Sequence, residues 1–250
     1  MSYTIIDPEK MISSLELLSR RIQERFPQSG LYQVSKQLLT FGENAQEDAR
    51  WIARPILPVR IGVALLVMLL IAALAYTLRS IVSMQDLREI LRFENFIPLL
   101  EAGINDLILI GAGIFFLVSA ETRIKRRRVL SSLHKLRVFA HIIDMHQLHK
   151  DPERILGRGE LAPSTPRLDM TPFELSRYLD YCTELLSFTG IIAGFYAQNS
   201  EDAVLVDAVS DIEGLTNGIS RKIWQKLMIL DLLSAGDQAI SRISLEEGEN

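Results

Sequence analysis

Four histidines, all within sixteen residues of one another, are the side chains of this chain best suited to acid–base or metal chemistry. They are His134, His141, His146 and His149, and Asp144 lies among them. At about 100° per residue on a helix, His134 and His141 lie about 20° apart, with Asp144 about 60° further round. His149 falls on the other flank of this face and His146 points further away. A His-x-x-Asp pair can orient an imidazole or supply two metal ligands.

Three roles are open for this histidine segment. It can make surface and bundle contacts, form a structural hydrogen-bond network, or provide a metal or acid–base site from His141, Asp144 and His149. Neither HExxH nor another metalloenzyme spacing is present, and the nearby Lys135 and Arg137 disfavour a bound cation. We therefore predict contacts as its role, with no metal, no cofactor and no catalytic residue.

The only cysteine, Cys182, lies between apolar positions of a helical segment. One cysteine can form neither an intramolecular disulfide nor a CxxC metal site. The pattern predicts a buried structural thiol rather than a nucleophile, and it suits a reducing cytoplasmic compartment.

Two uncharged apolar runs predict membrane spans. The first covers residues 61–78, about 27 Å of helix, and residues 56–59 extend it. The second covers residues 107–120, about 21 Å, which is short for a hydrocarbon core of about 30 Å. No charged leader precedes an apolar core at the N-terminus, so we expect the first span to act as an uncleaved signal-anchor.

The short second span has polar residues at its start. To cross fully it must recruit residues from about 96 onward, which brings Glu101, Asn105 and Asp106 toward the bilayer. In one interpretation these three lie in the headgroup zone and cap the helix. In the other they face a protein interior, where polar groups are costly and usually functional. The first interpretation is favoured and the second stays open.

Five cations follow the second span directly and form what we call the basic collar: Arg123, Lys125, Arg126, Arg127 and Arg128. The positive-inside rule places this end in the cytoplasm. With two spans, the N-terminus lies there too, and residues 79–104 form a short outer loop, periplasmic in a bacterium. The position of the collar at a span end favours contact with anionic lipid over a nucleic-acid patch, and we expect no nucleic-acid partner.

The remaining residues predict helices almost throughout. Asp7-Pro8-Glu9 opens a helix to about Arg25, and a second helix spans about 31–52. Thr171-Pro172-Phe173-Glu174 combines a capping box with proline at the first helical position. Ser200 is a candidate N-cap for a further helix that reaches about residue 235. No strand-like alternation of any length occurs.

We therefore predict an all-α fold with two transmembrane helices and a cytoplasmic helical bundle. The predicted order is an N-terminal cytoplasmic helical segment (1–55), transmembrane helix 1 (56–78), a short outer loop (79–104), transmembrane helix 2 (105–121), a juxtamembrane basic helix (122–150), a linker (151–170), a helical hairpin (171–236) and an acidic flexible tail (237–250).

The predicted hairpin needs partners for its apolar stripe. Two long helices joined by a tight turn should pack antiparallel, with closest approach at the small-residue step Gly190 and Gly194. The helix after the second span, or a second chain, must cover the rest. We expect four apolar side chains inside: Leu185, Ile192, Phe195 and Val206.

Residues 121–152 resemble a known sequence box. The stretch runs from the basic collar through Leu133-His134-Lys135-Leu136 and His141-Ile142-Ile143-Asp144-Met145-His146-Gln147-Leu148 to Lys150-Asp151-Pro152. It looks like a box in two-span bacterial membrane proteins of unknown function. The resemblance implies a bacterial inner-membrane protein, and it implies no activity, ligand or catalytic residue.

Three classes of function fit these features. A non-catalytic, membrane-anchored scaffold or adaptor, with membrane lipids and either protein partners or a second copy as its contacts, explains the anchor, the collar and the bundle. An oligomeric transport or channel accessory subunit would use Glu101, Asn105 and Asp106. A metal-dependent sensor or enzyme would use the histidine segment. The first class is the prediction.

Overall fold

The computed structural model describes residues 6–54, 56–83, 93–152, 168–198 and 202–248. Within these ranges the chain forms six helices and no strand, which confirms the all-α prediction. The helices are α1 (Pro8–Arg25), α2 (Gly30–Ala53), α3 (Leu57–Ser83), α4 (Phe93–Leu148), α5 (Pro172–Ala197) and α6 (Ala203–Gly248).

The helices are divided between two compact units. The first, which we call the bundle unit, consists of Met1–Arg50 and Val129–Asn250. The second, the apolar unit, consists of Trp51–Arg128. Helices α2 and α4 each contribute residues to both units, and each unit is described by itself below.

Local capping starts α1 and α5 where the sequence predicts. The Asp7 carboxylate accepts hydrogen bonds from the backbone N–H groups of Glu9 and Lys10. Thr171 and Glu174 form a complete capping box at the start of α5. At α6 the cap is Asp202, whose carboxylate accepts from the N–H of Val204. The predicted cap, Ser200, lies outside the described residues.

Helices α5 and α6 form the antiparallel hairpin that the sequence predicts. Gly190 of α5 faces Thr216 of α6. Gly194, which lies one turn after Gly190 on α5, faces Glu213, which lies three residues before Thr216 on α6. Because the facing positions run in opposite directions along the two helices, the pairing is antiparallel. The small-residue step therefore does face α6.

Three of the four side chains predicted inside the hairpin are buried: Leu185, Ile192 and Phe195. The prediction for Val206 is wrong, because its side chain is 47% exposed and Leu205 is buried instead. Helix α6 begins at Ala203, and its buried face contains Leu205, Val209 and Ile212. Val206 follows Leu205 directly, so its side chain is turned away from that face by about 100°.

The remaining apolar stripe of the hairpin is covered by helices of the same chain. Helix α1 packs against α5, and the ring of Phe26 meets that of Tyr178 edge to face at 5.3 Å. On α2, Gly42 lies close to Ile192 and Leu15. The prediction named the helix after the second span or a second chain as the cover, and the structure adds α1 and α2 to the core of this unit.

Polar pairs inside the bundle unit fix how its helices lie against one another. The Ser19 and Ser35 hydroxyls lie 2.9 Å apart and join α1 to α2. The Asp48 carboxylate of α2 accepts from the Tyr196 hydroxyl of α5 at 3.2 Å and from the Ser132 hydroxyl of α4 at 3.5 Å. These contacts satisfy polar groups that burial would otherwise leave unpaired.

Helix bounds differ from several predicted boundaries. The predicted outer loop is helical at both ends, since α3 runs to Ser83 and α4 starts at Phe93. Helix α4 continues through residue 121 without a break, and α6 extends to Gly248 across most of the predicted tail. Residues 237–247 contain neither proline nor glycine, so no local signal ends that helix earlier. Most of the predicted linker, 153–167, lies outside the described residues.

Candidate functional site

The two apolar helices of the apolar unit pack antiparallel. At one end the backbone N–H of Ile56, just before α3, donates to the Glu121 carboxylate of α4 at 3.3 Å. Further along, Leu66 of α3 lies against Gly113 of α4. Residue numbers rise along α3 as they fall along α4, so the start of α3 lies beside the part of α4 that leads into the basic collar.

The surface of this helix pair is apolar and exposed. Phe115, for example, is 74% exposed, and a contiguous surface of this kind marks a membrane or partner contact. Of the described helices, one contains a stretch long and apolar enough to cross a membrane, within the Gly103–Leu148 part of α4. The Leu57–Ala72 part of α3 is a shorter apolar stretch. Other large exposed apolar side chains are Leu65, Met68, Leu69, Ile71, Leu107, Ile108 and Phe116.

The basic collar makes defined contacts within the apolar unit. Lys125 pairs with Glu121 at 2.8 Å, so the same carboxylate binds a collar cation and the N–H of Ile56. The Arg128 guanidinium lies 4.3 Å from the ring centroid of Trp51. Arg123 and Arg127 are exposed. The collar therefore holds the two helix ends together and still presents cations on the surface.

The structure describes the side chains of two of the three polar residues at the start of the predicted second span. Glu101 and Asn105 lie within α4 and are exposed. The side chain of Asp106 lies outside the described part of the structure.

The histidine segment lies on α4, and the structure disperses its side chains. His134, His141 and His149 are exposed, while Asp144 is half-buried. The Asp144 carboxylate accepts a 2.6 Å hydrogen bond from the side-chain amide of Gln147 rather than from an imidazole. Across the described side chains, no group of three His, Cys, Asp or Glu could hold a metal ion.

His146 is the histidine whose ring packs against another helix. The sequence placed it off the shared face, and the structure shows its ring pressed against Gly30, at the start of α2, so closely that a β-carbon there would collide with it. Burial, and secondarily the charge of Lys150, lowers the pKa of this imidazole. Glycine at position 30 is therefore a packing requirement of the turn between α1 and α2.

Asp151, the carboxylate that follows the histidine segment, also has a partner on another helix. Asp151 pairs with Lys226 of α6 at 2.8 Å. The Lys226 ammonium also donates to the backbone carbonyl of Gln147 at 2.9 Å. Lys226 thus closes the end of α4 against α6, and this part of the histidine segment has a structural role.

Cys182 is fully buried, as the sequence predicts. Burial strongly raises the pKa of its thiol, which keeps it protonated and unreactive. The pKa of Tyr178, one turn earlier on α5, is likewise raised by burial.

A cleft between α1 and α5 brings together three arginines that the sequence analysis did not single out. Its volume is about 590 Å³. Six residues line it: Arg21, Glu24, Arg25, Phe173, Arg177 and Tyr181. We call it the arginine cleft. The sequence signal for this cleft is a spacing of four residues, which places side chains on one face of a helix. On α1 this spacing relates Arg21 to Arg25. On α5 it relates Phe173, Arg177 and Tyr181.

Aromatic rings and carboxylates hold these guanidinium groups. Arg21 and Arg177 lie 5.4 Å and 5.5 Å from the ring centroid of Tyr181, and Arg25 lies 5.2 Å from that of Phe173. Arg21 also pairs with Glu184 at 3.2 Å. Arg177 pairs with Asp180 at 3.0 Å.

Comparisons of this chain with protein-family models, with curated proteins and with solved structures find no match.

Proposed function

We propose that this protein is a non-catalytic adaptor of the bacterial inner membrane, anchored by α3 and the first part of α4 as two spans. Both termini lie in the cytoplasm, and the bundle unit binds protein partners there. Lipid headgroups contact the basic collar. Bacterial origin rests on the resemblance of residues 121–152.

The antiparallel packing of the two apolar helices carries this proposal. Ile56 lies beside Glu121. Arg54 just before α3, Arg60 in its first turn, and the basic collar that follows the apolar part of α4 therefore belong to the same end of the pair. Cations concentrated at one end of a helix pair are the arrangement that the positive-inside rule favours for two spans.

Cysteine labelling in intact cells tests the topology. On a Cys182→Ser background, Arg79→Cys should react with a membrane-impermeant maleimide. Ser187→Cys, on the exposed face of α5, should react only after the cells are permeabilised. Reaction of the cysteine at position 187 in intact cells would reverse the assignment, and recovery of the protein from the soluble fraction would remove the anchor.

Charge reversal tests the role of the basic collar. Replacing Arg126, Arg127 and Arg128 with Glu should invert the second span or block its insertion, because orientation depends on cations close to a span end. A matched triple replacement of the exposed Arg20, Lys135 and Lys222 should leave the labelling pattern unchanged. Unchanged orientation in the collar variant would assign the collar to lipid or partner contact alone.

Photo-crosslinking in living cells tests the partner. A photoreactive amino acid in place of Met145 or Trp224, both exposed on the bundle unit, should crosslink to a distinct protein. The same amino acid in place of Ser13, near the start of α1 and also exposed, serves as a comparison. Crosslinks at no exposed position of the bundle unit would contradict an adaptor function.

A further inference from the structure

The arginine cleft is a cationic feature in an anionic unit. The bundle unit contains 17 Lys and Arg against 25 Asp and Glu, a net charge of −8. The six cleft residues, by contrast, are three arginines, one glutamate and two aromatics. Asp180 and Glu184, which pair with two of these arginines, are not among the lining residues. The lining of the cleft is therefore cationic, although its surroundings are not.

The geometry leaves guanidinium donors available. Each guanidinium has five N–H donors in a planar fork that matches carboxylate and phosphate oxygens. Arg21 and Arg177 each use part of this fork for one neighbouring carboxylate. Arg25 makes no ion pair with any residue in the described ranges. The ring of Phe173 lies beneath it. Capping hydrogen bonds from Thr171, and to a lesser degree the charge of Arg25, lower the pKa of the nearby Glu174 carboxyl.

Neighbouring groups hold the arginines in place before a ligand arrives. Two guanidiniums lie over the ring of Tyr181, a buried residue, and the ring of Phe26 meets Tyr181 edge to face at 6.2 Å. Fixing rotamer-rich side chains in advance lowers the entropy cost of binding. The ion pairs with Glu184 and Asp180 are partly exposed, so a ligand anion can replace them at a small cost.

We propose that the arginine cleft binds an acidic peptide segment of a partner protein, in which carboxylates or phosphates contact the three arginines. Phe173, 63% exposed beside Arg25, adds an apolar contact for a neighbouring side chain of that segment. The inference deepens the proposed adaptor function and rests on it, because it names the chemistry of the partner.

The same features argue against other anions. Small-molecule sites are mostly apolar and enclose the ligand, whereas this cleft is lined mainly by charged side chains at the surface between α1 and α5. A membrane surface or a nucleic acid would meet the repulsion of a unit with a net charge of −8 over its whole contact area. A short acidic segment meets mainly the arginines, and clusters of arginine are a recurring way to bind such segments.

Fluorescence anisotropy with the full chain in detergent micelles tests the proposal. The probe is a fluorescein-labelled peptide of sequence Glu-Glu-Leu-Glu-Glu, and a phosphoserine peptide of the same length replaces it in a second arm. We expect both to bind, with weaker binding at higher salt because the arginines are partly exposed. Arg25→Gln should weaken binding by about tenfold, and Phe173→Ala should weaken it to a lesser degree.

Two control variants separate the cleft from general charge. Arg20→Gln removes a cation from the same helix, where Arg20 pairs with Glu16 outside the cleft, and should leave binding unchanged. Glu24→Gln removes the one acidic residue of the lining and should tighten binding by roughly two- to fivefold. Circular dichroism of each variant confirms that the fold is retained.

Three outcomes would overturn the proposal. They are equal weakening by Arg25→Gln and Arg20→Gln, binding of inorganic phosphate without either peptide, and binding of the protein to phosphatidylglycerol vesicles through Arg25 without peptide binding. If neither peptide binds while crosslinking in cells still recovers a partner, the cleft assignment fails and the adaptor function stands. If the labelling pattern refutes the membrane anchor while the peptides bind, the proposed membrane adaptor function fails and the cleft assignment stands.

Discussion

The Cδ2 methyl of Leu66 lies only 3.2 Å from the place where a β-carbon on Gly113 would stand. This contact joins α3 to α4 in the middle of the apolar unit, where a glycine lets the two helices approach closely. Gly111, two residues earlier on the same helix, has open space around its Cα. The two glycines therefore form a matched pair, one inside the helix contact and one outside it.

Gly113→Leu should destabilise the apolar unit by about 1–3 kcal/mol, because the larger side chain overpacks the contact with Leu66. Gly111→Leu should not destabilise the unit, because open space surrounds this position. Thermal unfolding of both variants in the same detergent, followed by circular dichroism, measures the difference. Equal melting temperatures for the two variants would show that the helices do not meet at Gly113.

Gly194→Leu should destabilise the bundle unit by about 1–3 kcal/mol. A β-carbon at this position would already be in van der Waals contact with the side chains of Ile6 and Glu213, at 3.6 Å and 3.7 Å, so the further atoms of a leucine must displace them. Gly218→Leu on α6 points into open space and should stabilise its helix by up to about 1 kcal/mol, since leucine is the better helix former. Denaturant unfolding compares the two, and a destabilised Gly218→Leu would contradict the exposed placement of that face.

The contact between Gly30 and His146 predicts non-additive mutations. Gly30→Ala alone should be clearly destabilising, because its β-carbon collides with the imidazole. His146→Ala removes the obstructing ring, so Gly30→Ala should cost much less on that background. A double-mutant cycle from denaturant unfolding measures this coupling. Additive effects would show that the two residues do not touch in solution.

The lowered pKa of His146 predicts a pH dependence of stability. The unfolded chain binds a proton at this residue near pH 6.5, its ordinary pKa, whereas the folded chain binds one only at lower pH. Stability should therefore decline as the pH falls below about 6.5, and the loss is complete below the folded-state pKa.

Urea unfolding at about pH 7.5 and about pH 5.5 measures this loss on either side of the ordinary histidine value. His146→Gln should show a smaller decline than the wild type, and His141→Gln, at an exposed position on the same helix, should behave like the wild type. A decline of the same size in all three proteins would assign it to other groups.

Burial of Cys182 predicts a thiol that reacts only on unfolding. Maleimide should label the native protein very slowly and the urea-unfolded protein at once, because burial raises the thiol pKa and blocks access. A Cys182→Ser, Ser187→Cys variant, with its thiol on the exposed face of α5, should react quickly without urea. Rapid labelling of the native wild type would contradict the buried placement.

The sequence by itself determined the helices and several of their ends. Asp7 and the Thr171–Glu174 box satisfy backbone groups within a few residues, so their effect is local and can be predicted without a fold. The buried state of Cys182 and the small-residue step at Gly190 also follow from apolar periodicity along one helix. Val206 was assigned wrongly because a shift of one residue in helix register turns a side chain by about 100°.

Only the tertiary structure decided which residues meet across the chain. Arg21 pairs with Glu184, 163 positions away, and this pairing depends on how α1 packs against α5. The histidine segment shows the same limit, since its shared face was predictable while the contact of His146 with Gly30 was not. Periodicity defines the face of one helix, but the neighbour of that face is selected by how the helices of a unit pack together, which no local pattern contains.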